Sequence, residues 1–125
     1  MEDIKQEQIE ALQFAVDYIK KLIPVFQTVA GELRNGKQED TIDFLNQAIE
    51  GLNFVIEIFN VTAPLLNEKE ELFQNDVIEE KVQAMNQALK EHDDLKTADA
   101  IEEGIIPFLD IFAQIAKVFL DNAKA

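Results

Sequence analysis

From Ile9 to Leu33 the apolar residues stand at Ile9, Leu12, Val16, Ile19, Ile23, Phe26, Ala30 and Leu33. Steps that alternate between three and four place side chains on one face only when the backbone winds at about 3.6 residues per turn, so this stretch is an amphipathic helix. The same rhythm recurs at Ile42, Leu45, Ile49, Leu52, Ile56 and Phe59, and again at Ala98, Ile101, Ile105, Phe108, Phe112, Ile115 and Phe119. A thinner seam runs through Phe73, Ile78, Val82, Met85 and Leu89. Four helices are expected, at roughly 3–34, 38–61, 68–92 and 95–122.

The punctuation between them agrees. Asn35-Gly36 suits the left-handed conformation that closes a helix. Pro24 removes one backbone donor within the first helix and predicts a bend there. Pro64 and Asn67 mark the next turn, with Asn67 and Glu70 spaced as a capping box. His92-Asp93-Asp94 ends the third helix, and Asp94 is placed to cap the fourth through the N–H of Lys96 or Thr97. Connections this short cannot carry the chain back along a rod, so neighbours run antiparallel. The expected fold is all-α, an up-down-up-down antiparallel four-helix bundle over 1–125 as one domain. With 125 residues, 47% of them apolar, the chain has enough material for a core without disulfides.

Charge and composition narrow the chemistry. Eleven Lys and Arg against 25 Asp and Glu leave a formal charge of −14, which disfavours nucleic acid and anionic membrane surfaces as partners. The chain has no cysteine or serine, one arginine (Arg34) and one histidine (His92). Thiolate metal sites and Cys or Ser nucleophiles are thereby removed. The acidic start, Met1-Glu2-Asp3-Ile4, is unlike a secretory leader, and the longest apolar run, Ile105 to Leu109, is far shorter than a membrane span. A cytoplasmic protein without a cofactor is the expectation.

Three groups of residues are candidates for a site. A carboxylate-bridged dimetal centre in a bundle needs two Glu-x-x-His motifs, and Leu89 stands three before the lone His92. The acids Asp99, Glu102 and Glu103, with His92, are the weak candidates for a metal site or a small enzyme. The position of the three acids in the first turns of a helix is the better explanation for them, since negative charge is favoured at that end, and His92 reads as the last residue of the helix before. Glu57 and Asp110 lie inside apolar stretches, at matching places in a faint similarity between Gly51–Phe59 and Gly104–Phe112. Gly-rich phosphate loops and basic-aromatic patches are missing from the sequence.

The surplus of apolar residues is the more telling feature. Phe14, Phe44, Phe54, Ile58, Val61 and Phe73 fall off the seams, and the fourth helix has a second apolar face through Ile106, Leu109, Ala113, Ala116 and Leu120. Large exposed apolar patches mark contact surfaces. The reading is a non-enzymatic protein-protein interaction or self-associating bundle, expected as a homodimer with Phe54, Ile58, Val61, Ile106 and Leu109 at its interface. A metal-binding protein or small enzyme is one alternative. A polyanion mimic that occupies a basic partner is the other.

The segment Asp94 to Pro107, with Ala98-Asp99 before Ile101-Glu102 and Ile105-Ile106-Pro107, resembles a pattern in small, acidic, helical proteins of Gram-positive bacteria classed as a domain of unknown function. Leu45 to Phe59, with Asn46, Ala48, Gly51 and Leu52, is similar to the second helix of that group. Glu103-Gly104 stands where the pattern has Tyr-Glu. The resemblance implies a helical bundle and no activity.

Overall fold

The structure, a computed structural model, describes residues 2–66 and 77–124. Its elements are α1 (Glu2–Asn35), α2 (Thr41–Leu66), α3 (Val77–Lys90), α4 (Asp94–Ala100), a π-helical turn (Ile101–Ile105) and α5 (Ile106–Lys124). The last three run on without interruption, so the chain forms four rods and, among the described residues, no strand. The expected all-α bundle is present. The expected capping box at Asn67 and Glu70, and Phe73, lie outside the described residues.

The helix α1 is the central strut. It buries Leu12, Val16, Ile19, Phe26, Ala30 and Leu33 of the expected seam and adds Ala15, Leu22 and Val29. This wider stripe lets α1 pack against α2, α4, the π-turn and α5, whereas α3 packs against α4 and the π-turn. The Gln8 side chain donates to the Val61 carbonyl at 3.2 Å, so the start of α1 meets the end of α2. Arg34, at the end of α1, meets Asp99 in α4. Both pairs therefore run antiparallel. α1 passes through Pro24 without a break and ends where the Gly36 N–H donates to the Glu32 carbonyl at 2.9 Å. Gly36 itself takes φ 155°, a conformation that residues with a Cβ avoid.

The helix α2 differs from expectation in its limits and its face. It begins at Thr41, because the Thr41 hydroxyl accepts the Gln38 N–H (2.7 Å) and donates to Glu32 (2.6 Å), which tethers the connection in a turn. It continues through Pro64 to Leu66 instead of stopping near Val61. Its buried stripe is Leu45, Ala48, Leu52, Val55, Phe59, Thr62 and Leu66, while Ile42 is exposed and Ile49 and Ile56 lie at the margin. The difference arises because small and hydroxyl residues occupy part of the true stripe. Thr62 is tolerated there because its hydroxyl donates to the Ile58 carbonyl at 2.7 Å. By length and composition α2 could cross a bilayer, with mean hydropathy 1.3 over its best window. Here that apolar stripe faces α1 and α5, where Phe59 meets Phe108 and Phe112 edge to face at 5.1 and 5.3 Å.

The apparent double face of the fourth rod has a geometric cause. Its buried positions include Ile101, Ile105, Leu109, Phe112, Ala116 and Leu120. That is nineteen residues over five turns, about one more than 3.6 residues per turn provides. The π-turn absorbs the extra residue, with the Ile106 N–H reaching back to the Ile101 carbonyl. It stands just before Pro107, whose ring would crowd the Glu103 carbonyl in a regular α-helix. Leu109 is consequently 0% exposed and Ile106 half-buried. The expected interface role of Leu109 is corrected: the chain's own core covers it.

The turn from α3 to α4 is set by two residues. The Asp93 N–H donates to the Ala88 carbonyl and the His92 N–H to the Leu89 carbonyl, both at 3.1 Å, with His92 at φ 55°. This is a Schellman closure with histidine at the left-handed position. The cap of α4 is Asp93, one residue before the expected Asp94, and it accepts the Lys96 N–H at 3.0 Å. A left-handed residue with a Cβ costs about 1–2 kcal/mol. His92→Gly is therefore expected to raise stability by about 0.5–1 kcal/mol, after the entropy glycine loses on folding, in urea unfolding. His92→Ala retains the strained turn and gains nothing; equal midpoints for the two variants would remove the turn as the cause.

Candidate functional site

Leu12 and Leu52 are both fully buried where α1 and α2 cross, and the next two positions on each helix turn outward. There Phe14 and Phe54 meet edge to face at 5.5 Å between centroids. Tyr18 stacks 5.9 Å from Phe14 and lies 6.4 Å from Phe54. Although they touch, Phe14 and Phe54 remain 52% and 47% exposed, and Val61, about two turns further along α2, is 58% exposed. Rings that support one another expose rigid apolar area with little conformational freedom left to lose, as contact surfaces require.

The surroundings of these rings are a duplication. Glu10-Ala-Leu-Gln-Phe-Ala-Val-Asp17 on α1 matches Glu50-Gly-Leu-Asn-Phe-Val-Ile-Glu57 on α2 residue for residue in chemical type. The environments match too: Leu12 and Leu52 are buried, as are Ala15 and Val55, while Phe, the preceding amide and both acids are exposed on each helix. Because the helices are antiparallel, the two copies face each other about an approximate two-fold axis at the Phe14–Phe54 contact. In the register set by Gln8 with Val61 and Tyr18 with Gly51, Glu10 and Glu57 lie at one end of the rings and Asp17 and Glu50 at the other. Comparing Gly51–Phe59 with Gly104–Phe112 misses this repeat, and aligning residues 10–17 with 50–57 would have found it.

The other singled-out residues are elsewhere. Asp99 and Glu102 are both held by Arg34, whose Nη2 is 2.5 Å from Asp99 and whose Nε is 2.9 Å from Glu102. Hydrogen bonds to Glu102 and then Asp99 push the guanidinium above its ordinary range, so it stays charged. Lys37 pairs with Asp94 at 3.5 Å, so the acids at the head of α4 are met by the cations that end α1 and begin the next connection. Glu103 lines a shallow open cleft of about 240 Å³ with Glu80, Lys81 and Asp99. His92 is exposed in its turn. Among the described residues no group of three or more His, Asp or Glu is arranged to hold a metal. Of the expected interface residues, Phe54 and Val61 are on the aromatic face and Ile58 is buried beneath it at 9% exposure.

Gly51 fixes the Tyr18 ring. A Cβ at that position would overlap the Tyr18 hydroxyl and stand 3.0 and 3.1 Å from its Cε1 and Cζ, whereas a Cβ at Gly31 would meet nothing within 4 Å. Both glycines are in helix interiors, where alanine is favoured by up to about 1 kcal/mol. Gly31→Ala is expected to raise the melting temperature, while Gly51→Ala lowers it because the ring must move. If both variants gain equally, Tyr18 is not pinned against α2.

Residues 10–115 match the model of a family described as a domain of unknown function, DUF8042, and the chain belongs to that family. No curated protein and no solved structure matches it.

Proposed function

We propose that this DUF8042 domain is a non-enzymatic interaction module that docks another protein on the α1–α2 aromatic face. The observation that carries this reading is the exposure of Phe14 and Phe54, held in mutual contact between the exposed carboxylates Glu10, Asp17, Glu50 and Glu57. Catalysis by paired carboxylates needs acids with divided environments in a cleft. The acids at the head of α4 instead neutralise Arg34 and Lys37. A homodimer through the same face is the competing occupant. It brings Glu10, Asp17, Glu50 and Glu57 of each copy to one rim, between chains of charge −14, where like-charge juxtaposition is unfavourable.

The test is a photo-reactive phenylalanine analogue placed at 54 and, in a separate variant, at exposed Glu79 on α3. Irradiation in the native host is expected to give one discrete adduct from position 54 and none from 79. The same adducts from both positions would overturn the reading, and an adduct of twice the chain's mass would replace the partner with a second copy. In isolation, Phe54→Asp is expected to melt within a few degrees of wild type, because the side chain is half in water. Leu109→Asp should not fold, since a carboxylate in the closed core lacks any compensating partner. A cooperative, near-native melt for Leu109→Asp would contradict the burial described above.

A further inference from the structure

We infer that the occupant of the α1–α2 face is a basic amphipathic helix carrying Lys or Arg seven residues apart with an apolar residue between them. This rests on the reading of that face as a docking surface and adds the chemistry of what docks. Each copy of the repeat sets a carboxylate four residues before its exposed phenylalanine and another three after: Glu10 and Asp17 about Phe14, Glu50 and Glu57 about Phe54. Seven residues of helix span about 10 Å, so each ring is bracketed by charge at that separation. On α2 the line extends to Asp43, seven before Glu50, and the whole helix contains no Lys or Arg. A helix laid along this face meets apolar surface at its centre and a pair of carboxylates at each end, with Lys20 and Lys21 following Asp17 on α1 at one of them. The complementary pattern is cation, three residues, apolar, two residues, cation.

This chain does not supply that pattern itself. Its one pair of cations at the right spacing, Lys117 and Lys124, has Asp121 where the apolar residue belongs, and the neighbouring Leu120 is buried in the core at 6% exposure. A second copy is thereby disfavoured on charge and on pattern. Electrostatic pairing of this kind sets which partner is accepted and how fast it arrives, while the rings provide the apolar anchor.

The probe is a synthetic peptide of repeated Lys-Ala-Ala-Ala-Leu-Ala-Ala heptads, with Glu replacing Lys in a control peptide, titrated into the full chain by calorimetry. The basic peptide is expected to bind, with affinity falling as salt rises, and the acidic one not to bind. Any basic peptide is attracted to a chain of charge −14, so location must be separated from net charge. Glu50→Lys with Glu57→Lys is expected to weaken binding by about tenfold or more. Glu79→Lys with Glu80→Lys, an equal change of charge on α3, should weaken it by less than about threefold. Equal weakening by the two double variants, or no binding to wild type, overturns the inference. If the basic peptide fails while wild type self-associates in sedimentation and Phe54→Asp is monomeric, this inference falls and the face remains an interaction surface. If Phe54→Asp also changes nothing, both fall.

Discussion

Burial of α1 on several sides is the constraint on which the rest of the molecule depends. A helix with a single apolar stripe can satisfy one neighbour or the groove between two. α1 has Leu12, Val16, Ile19 and Phe26 in one line and Ala15, Leu22 and Val29 beside it, and its contacts extend to α2, α4, the π-turn and α5. Alanines at 15 and 30 let backbones approach, and Phe26 fills the space between the rods. The remaining elements are arranged around that strut. α3 lies outside it, resting on α4 and the π-turn.

Polar chemistry settles the ends of the rods more than their middles. Thr41, Thr62 and Thr97 are the polar residues in the described core, and each hydroxyl is used locally: on Glu32 and Gln38, on the Ile58 carbonyl, and on the Asp93 carbonyl. Arg34 then joins the last turn of α1 to the first turns of the fourth rod. Exposed ion pairs contribute little to stability on their own. Their effect here is on register, because a planar guanidinium that meets two carboxylates defines where the helices stop sliding.

The class of fold and the seam of α1 were legible because a long three-four rhythm has only one structural meaning. The seam of α2 was less so. Ile42, Ile49 and Ile56 attract attention as large apolar residues, while Ala48, Gly51 and Thr62 are the ones that face the core. A rule that counts only bulky side chains turns that helix part-way round its axis. In the fourth rod the sequence shows two apolar faces, and the reason lies in one extra backbone residue that periodicity reads as a second stripe. Phe54 and Val61 were recognisable as surplus apolar residues. Phe14 was recognisable in the same way, and the antiparallel register, which places residues forty apart in the chain side by side, adds that it touches Phe54.

The duplicated octapeptide also bears on direction. A surface with approximate two-fold symmetry presents the same order of acid, ring and acid whether it is read along α1 or backwards along α2. A ligand without polarity of its own would settle on it in either sense with nearly equal energy. Only the residues outside the repeat break that degeneracy: Tyr18 has Ile58 as its counterpart, and Lys21 has Val61. One end of the face therefore has an aromatic hydroxyl and a cation, and the other has exposed Val61 with Ile58 buried beside it, so the two ends differ in chemistry although the repeat between them does not.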